Sequence, residues 1–102
     1  MKLYLYDYCD EHKSLTSANL HIADVGAKAI VDAIIEDLYG DVVYFDGYKD
    51  EALGLEALKE VLGITNPMDT AGIVFTDELV RRLNTGLQYA MLREVETGEK
   101  LQ

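Results

Sequence analysis

The sequence predicts an α/β domain, a small single-domain sandwich of three mainly parallel strands alternating with helices, with a fourth strand available from residues 18–22. Three observations carry that prediction. Short β-branched and aromatic runs recur near the beginning, middle and two-thirds point of the chain; helical apolar stripes fill the intervals; and 102 residues leave room for one core and no second. Strands joined through helices pair in parallel by right-handed crossovers, because the crossover must return the chain to the same end of the sheet.

The first strand is "KLYLYDY", with Leu3 and Leu5 on one face and Tyr4, Tyr6 and Tyr8 on the other, so both faces can pack. Residues 10–22 mix Ser, Thr and Asn with a few apolar residues and fit a short helix, a loop or an edge strand. From Asp24 to Leu38 the stripe of Ala27, Ile30, Val31, Ile34, Ile35 and Leu38 defines a helix. Asp24 is placed to cap it, and Gly40 to end it in the left-handed conformation. "DVVYFD" follows as a strand covered on both faces, with Tyr44 the tyrosine best placed for the core. Residues 50–62 form the next helix, with Leu55, Leu58, Val61 and Leu62 inward and Gly63 as its terminator. After a loop around Pro67, "AGIVF" reads as the third strand, and Thr76 caps a last helix lined by Leu79, Val80, Leu83, Leu87, Ala90 and Met91. Residues 97–102 are expected to fray, although "LREVETGEKL" also fits a hairpin. Residues 1–102 thus form one domain.

"MKLYLYDYC" resembles the first strand and site cysteine of glutaredoxins. The resemblance implies a thioredoxin-like fold, here a degenerate one, in which a helix begins at Cys9. His12 stands where the resolving cysteine would be, and Asp7, Asp10 and Glu11 would raise rather than lower the thiol pKa. Cys9 therefore reads as a structural thiol. As the single cysteine it can form no disulfide within the chain, and with His12 and His21 it matches no zinc spacing.

Nineteen acidic against nine basic side chains give a formal charge of −10. That charge repels nucleic acid and anionic membranes and favours a protein partner with a basic surface. The start of the chain lacks a signal-peptide pattern, and no apolar run is long enough to span a bilayer, so a cytoplasmic protein is expected.

Acidic residues recur at the three predicted strand exits: Asp7 with Tyr8, Asp10 and Glu11; Asp46 with Tyr48, Asp50 and Glu51; and Asp77 with Glu78 after Thr76. Carboxylates there cap helices and complement their dipoles. Parallel strands would also gather the exits at one sheet edge, as a partner-binding rim of acids and tyrosines. Asp7 and Asp46 could alternatively hold Mg²⁺ for phosphate chemistry. The chain carries no glycine-rich phosphate loop, so no catalytic residue and no cofactor is assigned. The expected function is protein binding, as an inhibitor docking on the basic surface of a nucleic-acid-handling enzyme in the manner of phage or mobile-element anti-defence proteins. An edge strand of so small a sheet leaves a homodimer open.

Overall fold

The computed structural model describes residues 3–23 and 27–95. The main sheet is antiparallel, which overturns the mainly parallel sandwich. It runs β2–β1–β5, with β1 (Leu3–Cys9) between β2 (Leu15–Ala23) and β5 (Ala90–Val95). β1 pairs antiparallel with both neighbours, Tyr6 lying opposite Asn19 on one side and Leu92 on the other. The described residues also form three helices: α1 (Lys28–Tyr39), α2 (Glu51–Leu62) and α3 (Asp77–Gly86). A two-residue ladder joins β3 (Tyr44–Phe45) to β4 (Leu87–Gln88).

The local cause of the antiparallel arrangement is the turn after Cys9. Asp10 Oδ1 accepts from the backbone N–H groups of His12 (2.9 Å) and Ser14 (2.8 Å), and Lys13 takes a left-handed φ of 63°. A short polar segment whose aspartate folds back on its own backbone reverses the chain at once. The strand after it then lies antiparallel to β1. No helix starts at Cys9, so the expected thioredoxin-like fold fails at its first connection.

"DVVYFD" and "AGIVF" are not buried parallel strands. Asp41 takes a φ of 56° and the chain turns there, leaving Val42 exposed and only Tyr44 and Phe45 in a ladder. This aspartate, not Gly40 with its φ of −90°, carries the left-handed residue after α1. Ile73 is buried and Val74 is 64% exposed, and this segment joins no sheet. It is held instead by the Ala27 N–H donating to the Ile73 carbonyl (3.0 Å) and by an edge-on stack of Phe75 on Tyr4 at 5.1 Å.

The core lies between the tyrosine face of β1 and the helices. Tyr4, Tyr6 and Leu92 pack with Ile30, Val31, Ile34 and Leu38 of α1, with Leu58 of α2 and Leu83 of α3, and with Phe45. Gly86 is required by the Phe45 ring, since a Cβ there would stand 2.5 Å from it. Leu5, Asp7 and Cys9 alternate to the opposite sheet face and are also buried. Ala90 and Met91, expected to continue the last helix, belong to β5. Apart from Gly40, the helix ends that the sequence marks are capped where they are described. Asp50 accepts from the Ala52 and Leu53 N–H groups, Thr76 from Leu79, and Gly63 ends α2 with a φ of 72°. Asp24 and residues 97–102 lie outside the described residues. No helix among those described is long and apolar enough to cross a membrane.

Candidate functional site: the acidic surfaces

The structure separates the third acidic group from the other two. The end of β1 meets the start of β5 and the β3–β4 ladder, since the Cys9 N–H donates to the Tyr89 carbonyl (3.0 Å) and Lys13 Nζ to the Leu87 carbonyl (2.7 Å). The Asp46 N–H reaches the Gly86 carbonyl (2.8 Å) at the end of α3. Asp10, Glu11 and Asp46 therefore belong to one end of the molecule. Asp77 and Glu78 begin α3, whose 10 residues place them about 15 Å away at the other. No single rim contains all three.

The first group splits further. Asp7 is 1% exposed, and Arg93 Nε donates to its Oδ2 at 2.6 Å while Oδ1 has no hydrogen-bond partner among the described residues. Tyr8 turns to the helix side, where its hydroxyl donates to Asp37 (2.8 Å) beside that of Tyr6 (2.7 Å). Asp10 is occupied by the turn, and Glu11 lies 3.6 Å from His12 on the surface. Cys9 is buried. Burial pushes its thiol pKa up, with Asp10 and Asp7 adding to the rise and Lys13 opposing it. A reactive thiol needs the reverse.

The Mg²⁺ alternative drew on strand ends gathered at one edge, an arrangement the antiparallel sheet lacks. Asp7 serves Arg93 inside the sheet layer, and Asp46 lies on the turn after β3. Among the described residues no group of three or more His, Cys, Asp or Glu side chains is placed to hold a metal ion.

The second group keeps a usable surface. Phe45, Asp46, Gly47 and Tyr48 form a tight turn with φ of 57° and 79° at its central pair, closed by the Tyr48 N–H donating to the Phe45 carbonyl (3.1 Å). Asp-Gly suits this turn because both central residues need positive φ. "FDGY" is thus a tight-turn signal rather than the exit of a parallel strand. The turn and α2 enclose an open cleft of about 520 Å³. Its apolar surface is Tyr48, Leu53, Ala57 and Ile64, of which Leu53 is 52% and Tyr48 41% exposed. Asp46, Glu56 and Glu60 edge it. Lys59 is paired with Glu56 at 2.7 Å, so the net charge of the edge remains negative. Asp50 and Glu51 stand at the start of the same helix, but Asp50 is committed to its cap. Asp77 lines a different cleft together with Arg81, Asn84 and Glu94.

Two further carboxylates, both on α1, are structural. Asp37 anchors the hydroxyls of Tyr6 and Tyr8. Burial raises the Tyr6 pKa far above its ordinary value, with the Asp37 hydrogen bond and charge adding to it. Asp32 accepts from Lys28 (2.6 Å) and Thr70 (2.8 Å). Burial pulls its pKa up, but the hydrogen bonds from Lys28 and Thr70 with the Lys28 charge outweigh that and hold it below the ordinary range. The signal for Asp37 is its spacing, three residues beyond Ile34 on the inward stripe.

No family model matches the chain, and no curated protein or solved structure matches it.

Proposed function

We propose that this chain is a small acidic protein-binding protein, an inhibitor that docks on the basic surface of a nucleic-acid-handling enzyme. The observation that carries the reading is the charge of −10 combined with carboxylates that take part in no ion pair among the described residues, Asp46 and Glu60 among them. Asp7, Asp32, Asp37 and Asp50 are engaged inside the structure. Among the described residues Asp41, Asp46, Glu51 and Glu60 are exposed, where repulsion among acids gives no stability to the fold. A cationic groove relieves that repulsion on binding and is steered to it from a distance. Buried polar networks that hold the scaffold leave these outer acids on fixed elements, which limits the ordering cost of docking.

The test is recovery of the tagged chain from its native cells, with heparin as a polyanionic competitor. The expected result is a captured nucleic-acid-handling protein that heparin and high salt both release. Capture indifferent to heparin and salt, or a partner without a basic surface, overturns the reading.

A further inference from the structure

Resting on that reading, we infer that the cleft between the Asp46–Gly47 turn and α2 is the docking site, and that its occupant is an arginine-bearing amphipathic segment of the protein partner. The cleft joins exposed apolar surface to unspent negative charge. Leu53 and Tyr48 are about half exposed although they adjoin a packed helix, and an apolar side chain laid over them would be removed from water. At the edge, Asp46 and Glu60 take part in no ion pair among the described residues, whereas Glu56 is neutralised by Lys59. Carboxylates and an aromatic ring lining one cleft suit a guanidinium, which can stack on a ring and donate to carboxylates, whereas an ammonium has no flat face to stack.

The position of Asp46 is fixed before any partner arrives. Its N–H is bonded to Gly86, its turn is closed by Tyr48 on Phe45, and Phe45 is 1% exposed against Gly86. Asp46 also borders a second cleft, which Arg81 and Arg82 line, and the two arginines make that cleft unfavourable for a cation. A basic segment is drawn to the α2 side and repelled from the α3 side. The Asp77 cleft also contains Arg81, which makes it the poorer choice for a cation.

The probe is a synthetic peptide with arginine and leucine at helical spacing, titrated into the intact chain at low salt and followed by amide-resolved NMR. A glutamine-for-arginine peptide is the control. The expected result is shifts at Tyr48, Leu53, Ala57, Glu60 and Thr65, absent with the control. The variant carrying Asp46→Asn and Glu60→Gln should bind on the order of tenfold more weakly. Asparagine tolerates the positive φ at position 46, so this variant keeps the turn. Shifts at Asp10, Glu11, Asp77 or Glu78 instead would overturn the cleft assignment and leave the acidic-docking reading standing. No shift anywhere would sink both.

Discussion

Asp7 and Asp37 show at single residues how one side-chain type serves two purposes. Asp37 accepts two tyrosine hydroxyls and fastens α1 to β1, while Asp7 is bonded to Arg93 through one oxygen and its other oxygen has no partner among the described residues. Tyr6 gives the first a pH signature. Its pKa is raised in the fold, chiefly by burial, so its contribution is fully present below the ordinary tyrosine value of about 10 and is lost as pH rises above it. Alkaline denaturation should therefore begin at about pH 10. In Tyr6→Phe that limb should flatten, with about 0.5–1.5 kcal/mol lost at neutral pH. Urea unfolding across the alkaline range checks both, and an unchanged alkaline limb would show that Tyr6 is not the responsible group.

Elements are tied to one another by side chains at places where secondary structure alone leaves backbone exposed. β5 is an edge strand, and the Asn84 side chain of α3 closes it. Its amide donates to the Leu92 carbonyl (3.0 Å) and its oxygen accepts from the Leu92 N–H (2.7 Å), imitating a neighbouring strand. Asn84→Leu should cost about 1–3 kcal/mol, since two backbone groups lose their partners, and should promote edge-to-edge association. Thermal melts and light scattering read the two effects; a variant as stable and as monodisperse as the parent would refute the assignment. Elements whose controlling contacts lie close in sequence are legible from the residues alone. Thr76, Asp50 and Gly63 each stand within a few residues of the helix end they determine. Elements whose contacts lie far apart are not. The residues of β5 look like helix and tail because the strand they pair with is β1, and 86 positions separate Arg93 from its partner Asp7.

For the whole molecule, the imbalance of charge sets the response to salt. A net −10 on a domain with a radius of gyration of 12.8 Å opposes compaction, and added salt screens that repulsion. The melting temperature should rise from low salt to about 0.15 M, where the Debye length falls to about 8 Å. A flat or falling Tm would mean that the surface acids are mutually compensated. The same screening should weaken partner binding, so stability and affinity move in opposite directions with salt. By itself the sequence determined the charge, all three helices and the first strand, because apolar periodicity and capping residues act over a few residues. Only the tertiary structure decided that β5 returns beside β1 and completes an antiparallel sheet, since that pairing joins residues about 80 to 90 positions apart, whereas the reversal after Cys9 is made locally by Asp10. That choice dispersed the acidic strand exits, buried Asp7, and left Asp46 beside α2 at the edge of an apolar cleft.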